Sequence, residues 1–161
     1  MRKIVVMAAA MLLGTTGAAL AQTSDSDNAI VTLDVVAALS LTTTQNLDLG
    51  VTTAGTNATV LPTATAAGAF TAAGQANTPI TVTYPATVNL AGPGANIVFT
   101  PSLTGDPSAA NQAGAAAVAS GSTVTLSGTG GHFFWLGGTA TVPVGQASGT
   151  YSGTFTLSVA Y

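Results

Sequence analysis

The chain is 161 residues long, 47% hydrophobic and only 4% charged, with two basic residues, Arg2 and Lys3, five Asp, no Glu and no Cys. With both basic side chains at the N-terminus, nothing in the rest of the chain can neutralise phosphates, which excludes nucleic-acid binding and docking on anionic lipid. Disulfides are excluded too, and the only side-chain ion pairs available to residues 22–161 involve His132. Stability there must come from apolar burial and backbone hydrogen bonds.

Arg2 and Lys3 are followed by an apolar run from Ile4 to Leu13 and by Ala19-Leu20-Ala21, a small-x-small cleavage site. This is the pattern of a secretory signal peptide over residues 1–21. The run is too short for a spanning helix. The expected mature chain begins at Gln22 and is exported by a bacterium through the periplasm to the cell surface or the medium. Residues 22–28 (QTSDSDN) read as a flexible polar lead, and residues 29–161 as a single domain large enough to bury a core.

From Ala29 the apolar residues fall on one parity: Val31, Leu33, Val35, Ala37, Leu39 and Leu41. Thr32, Asp34, Ser40 and Thr42 fall between them, so one long strand or two short ones are expected. Thr43–Asn46 reads as a turn, and Leu47-Asp48-Leu49-Gly50 restarts the alternation. Weak strand character follows at residues 59–61, a short strand around Phe70, and a strong one at Pro79–Tyr84 (PITVTY). Val88 and Leu90 continue beyond Pro85, and Gly92-Pro93-Gly94 closes that segment.

A further strand opens at residues 97–99. Residues 105–122 are Ala-, Gly- and Ser-rich, with Asp106-Pro107 able to cap one helical turn. Strands are expected again at residues 123–127, at His132–Leu136, which is apolar on both faces, and at residues 139–144. The chain ends on GTYSGTFTLSVAY, Gly149 to Tyr161. Tyr151, Phe155, Leu157, Val159 and Tyr161 share one parity there, against Ser152, Thr154, Thr156 and Ser158, so a sheet closes on this strand. Many short strands with frequent turn signals make an all-β antiparallel sandwich, of immunoglobulin-like type.

Chemistry is sparse. His132 is the only imidazole, no G-x-S-x-G elbow occurs, and the Asp residues are scattered apart from Asp25 and Asp27. Asp25-Ser26-Asp27-Asn28 has the oxygen spacing of half a calcium loop without its Gly or distal Glu. No catalytic residue, metal site or cofactor is expected, and the protein reads as a non-enzyme. Trp135 with Phe133 or Phe134 offers a sugar-stacking surface, or else these aromatics are core.

Ala29–Gly50 with its Leu47-Asp48-Leu49-Gly50 element, the central Thr81-Val82-Thr83-Tyr84 and the GTYSGTFTLSVAY ending together resemble the secreted bacterial family called domain of unknown function 4402. Relatives favour an aromatic where Leu49 stands. The same pattern is similar, more distantly, to spore coat protein U and the archaic chaperone–usher pilin subunits. Pilins place a Gly twelve residues before a near-terminal Tyr, the spacing of Gly149 and Tyr161. Archaic pilins commonly carry a Cys near the first strand, where this chain has Ala38 and Leu39.

The pilin resemblance implies a sandwich that lacks one strand, filled by the N-terminal strand of another subunit. The donor is then Asn28–Val36, presenting Val31, Leu33 and Val35 beside the closing strand. Alternation alone is equally compatible with the same residues forming the first strand of their own sandwich. The expected role is a structural subunit of a surface filament or coat, with copies of itself and a periplasmic chaperone as partners. The alternative is a self-complete sandwich that binds a glycan or surface through Trp135. A secreted hydrolase using His132 ranks third.

Overall fold

The computed structural model describes residues 26–161, so the expected signal peptide and cleavage site lie outside the described residues. The chain divides into a leading segment ending at Asp34 and a compact unit, Val35–Tyr161, that holds every strand. That boundary falls inside the domain expected from Ala29. Residues 26–39 form no strand, where one long strand or two short ones were expected from Ala29. Alternation records which way side chains face. A strand also needs a ladder partner, which alternation does not supply.

In chain order the strands are β1 (Ser40–Gln45), β2 (Ala58–Val60), β3 (Gly68–Ala73), β4 (Pro79–Thr83), β5 (Val88–Leu90) and β6 (Ile97–Asp106). They continue with β7 (Ala116–Ala117), β8 (Ser122–Thr125), β9 (Gly131–Thr141) and β10 (Ser158–Ala160). All pairings are antiparallel. The larger sheet runs β1-β3-β9-β6-β5, with β2 added to β9 and β7 to β6; the smaller runs β10-β4-β8. The expected all-β antiparallel sandwich is what the chain forms.

Three local readings change. The turn expected at Thr43–Asn46 is strand as far as Gln45, with a register shift against β3 between Thr43 and Gln45. Branching at Cβ favours extended backbone for the Thr run, and an outer strand facing water needs few apolar residues. The strand expected at residues 97–99 runs on to Asp106, through Pro101. β5 pairs Ile97–Phe99 and β7 pairs Thr104–Gly105, so Pro101 sits in the gap between them, where its missing N–H costs no ladder bond. The helical turn expected after Asp106 is an Asx-type turn: its carboxylate accepts from the Ser108 N–H (2.7 Å) and the Asn111 side-chain amide (2.9 Å). The single 3-10 turn follows at Gln112–Gly114.

β9 is the axis of the larger sheet. It pairs with β6 along nearly its whole length on one side, and with β3 then β2 on the other. Gly137 marks the change of partner. A Cβ there would collide with the backbone of Val60, Leu61 and Pro62, so only glycine lets the incoming chain approach so closely.

The core falls into two clusters. The first lies between the sheets, with Phe70, Leu103, Phe134 and Leu136 from the larger sheet against Ile80 and Val82 of β4. The second contains Ala58, Val88, Ile97, Phe99, Ala140 and Val142, all on or next to the larger sheet. Among the described residues, none of the smaller sheet belongs to this cluster; the partly buried side chains packed on it include Leu47, Leu49, Tyr151 and Phe155, contributed by irregular chain.

Candidate assembly groove

That incomplete cover leaves a cavity of about 1130 Å³ floored by the second cluster. Its walls come from two stretches of mostly irregular chain, one from Gln45 to Ala54 and the other from Gln146 to Phe155. The volume exceeds the roughly 300–1,000 Å³ of a small-molecule cleft. The shape is a trough between these two stretches.

The second wall is the expected closing strand, and it is not one continuous strand. Ser152 exchanges both backbone hydrogen bonds with Ala91 (2.8 and 2.9 Å), and Ser158–Ala160 pairs with β4. Between these anchors, Gly153 to Leu157 has no ladder partner. The expected parity nevertheless holds. Tyr151, Phe155 and Val159 are half-buried and Leu157 is buried, while Ser152, Thr154, Thr156 and Ser158 are exposed. Tyr161 is 48% exposed.

Side chains pin this wall where the backbone ladder does not. The Tyr151 hydroxyl accepts from Gly94 N–H (3.0 Å) and the Gln146 amide (2.7 Å) and donates to the Ala147 carbonyl (2.9 Å). Phe155 packs between Phe70 and Tyr84, with ring centroids 6.1 and 5.8 Å away. In the first wall, Leu47 and Leu49 face the core, Asp48 N–H donates to the Ala66 carbonyl, and the Asp48 carboxylate accepts from Gly50 N–H (2.8 Å). An apolar floor flanked by chain that is mostly outside any ladder can accept one added strand.

The donor residues that the pilin resemblance implies are exposed: Val31 92%, Leu33 84% and Val35 85%. The other two candidate side chains are interior. Trp135 is 7% exposed, so it presents no ring face to a sugar, which corrects the surface reading. It alternates with the core residues Phe134 and Leu136 and therefore lies on the outer face of β9. There the Gln112 amide donates to the carbonyls of Pro62 and Ala64, joining the loops on either side of β9.

His132 is 4% exposed and stacks on Phe134 at 4.8 Å. Its Nδ1 lies 3.1 Å from the Thr125 carbonyl and its Nε2 has no partner. Burial lowers its pKa below the ordinary imidazole value, against smaller raising effects of that carbonyl and of Asp106. A neutral ring donating from Nδ1 fits this setting, and no nucleophile bonds to it. Among the described residues, no three His, Cys, Asp or Glu side chains converge as a metal site would require.

The groove floor, above all Val88, Phe99 and Val142, escaped the sequence reading, because nothing local distinguishes a covered core residue from an uncovered one. The partner of Tyr161 also escaped it: the Tyr161 hydroxyl donates to the Ala37 carbonyl (2.7 Å). The signal for that was an aromatic hydroxyl at the end of a strand, a group that takes a partner when its ring packs.

No curated protein matches the chain. The model of the family described as "Domain of unknown function (DUF4402)" matches residues 47–161, a span that begins at the first groove wall and ends at Tyr161. The chain therefore belongs to the DUF4402 family.

Proposed function

We propose that this protein is an exported structural subunit that polymerises at a bacterial cell surface by donating residues 28–36 to the groove of another copy. The observation that carries this reading is the apolar trough whose walls, apart from Gln45 and Ser152, are irregular chain outside the sheets. The exposed period-two stripe of Val31, Leu33 and Val35 supplies a matching strand. Burying three such side chains contributes roughly 1.5–3 kcal/mol each, and each ladder hydrogen bond adds about 1 kcal/mol. The role is non-enzymatic. A periplasmic chaperone is proposed as a transient partner, covering the trough before assembly.

The test is removal of residues 28–36 from the exported chain. All ten strands lie outside that segment, so the shortened protein is expected to melt cooperatively, remain monomeric and bind a synthetic peptide of residues 28–36. Unfolding of the shortened chain, or a peptide that leaves its melting temperature unchanged, overturns the reading. The alternative of a glycan-binding sandwich through Trp135 has no support from the burial of that ring.

A further inference from the structure

Ala37 is held through both of its backbone polar groups. Its N–H donates to the Gln75 side-chain oxygen (3.1 Å) and its carbonyl accepts from the Tyr161 hydroxyl (2.7 Å). That hydroxyl also accepts from the Gln75 backbone N–H (2.7 Å), so one loop residue and the last residue of the chain close around Ala37. Gly74 makes the fit possible: a Cβ there would run into the Tyr161 hydroxyl and Leu39.

This latch lies off one end of the groove. The groove-lining residues nearest to it along the two walls are Thr43 and Phe155. Each is six residues from its latch residue, Ala37 or Tyr161. Six residues of extended chain cover about 20 Å.

We propose that the latch formed by Tyr161 and Gln75 roots the N-terminal arm out of reach of its own groove, reserving that groove for a second copy of the chain. This rests on the strand-donation reading above. Val31 also lies six residues from Ala37, so an arm doubling back would bring Val31 only to the groove mouth, about 20 Å away. Leu33 and Val35 fall short. Doubling back also needs a tight turn beside Ala37, and no Gly or Pro occurs from Gln22 to Leu49. Val35-Val36-Ala37-Ala38 is poor turn sequence. A second copy carries no such tether, and a groove filled by the next subunit's arm is a head-to-tail contact that propagates as a filament.

The chain has no Cys, which makes thiol crosslinking a clean test. The full chain, produced with its leader, carries Leu33→Cys on the arm, Leu90→Cys at the groove, or both. A short thiol-to-thiol crosslinker is then added. The expected result is a crosslinked pair in an equal mixture of the two single variants, and a ladder with no internally linked monomer from the double variant. An internally linked monomer from the double variant, with nothing from the mixture, overturns the inference while leaving strand donation standing. Absence of any crosslink in both samples overturns strand donation itself. Tyr161→Phe in the double variant removes only the latch hydroxyl. It is expected to convert part of the ladder into internally linked monomer, and an unchanged ladder overturns the latch.

Discussion

His132 illustrates how a residue's chemistry follows from its surroundings. Its Nδ1 is bonded to a carbonyl and its Nε2 is buried without a partner, so a second proton would enter a site with nothing to receive it. The folded-state pKa therefore lies below the unfolded value of about 6.5. The unfolded chain binds the extra proton first, so the stability contribution is complete above that pH and is lost as pH falls toward the folded value. Each unit of lowering corresponds to about 1.4 kcal/mol. Thermal melts between pH 7.5 and 5 are expected to show a falling melting temperature that His132→Phe flattens, because no other imidazole is present. A slope of the same size in the variant would assign it elsewhere. Phe134, fully buried beside it, is expected to cost about 3–5 kcal/mol on truncation to Ala, whereas Val51→Ala, at an exposed site, stays within about 0.5 kcal/mol. Denaturant titration of both variants checks this. That Phe134 would be covered and His132 packed on its aromatic neighbours was legible in the run HFFWL; that the His132 Nε2 would be left without a partner was not.

The closing strand was legible as a pattern and not as a ladder. Its parity is fixed by side chains, and those face where the alternation says. Its pairing depends on the presence of a neighbour at every position, which Gly153 to Leu157 lack. The segment is held instead at Ser152, at Ser158–Ala160 and through the Tyr151 hydroxyl. Tyr151→Phe keeps the ring and deletes three hydrogen bonds; a loss of about 1–3 kcal/mol is expected. The same variant should weaken capture of the peptide of residues 28–36, since one groove wall would then be less ordered. Calorimetry of the variant with and without that peptide reads both effects. In β6 only one edge is paired at Pro101, so the strand that opens at residues 97–99 passes straight through the proline.

For the whole molecule, the scarcity of charge is the dominant property. Arg2 and Lys3 are the only Lys or Arg residues, so a chain cleaved before Gln22, as the proposed export requires, would offer trypsin no site and make no lysine or arginine ion pairs. Assembly that rests on apolar burial and backbone pairing should persist from about 0.1 M to 1 M NaCl, over which the Debye length falls from about 10 to 3 Å. It should also resist trypsin under conditions that digest a lysine-containing control. Sedimentation of the polymer across that salt range, with N-terminal sequencing to locate the start at Gln22, is the measurement. Dissolution of the polymer at high salt would point to an electrostatic interface instead.

The sequence by itself determined the all-β class, the parity of β4 and of the closing segment, the apolar stripe of the arm and the scarcity of charge. These follow from composition and period, which are local properties. Only the tertiary structure decided that the smaller sheet stops at three strands, that half of the larger sheet is therefore left over a trough, and that Ala37 is latched to Tyr161 and Gln75. Each of those depends on contacts between residues far apart in the chain, and no short window of sequence carries such information.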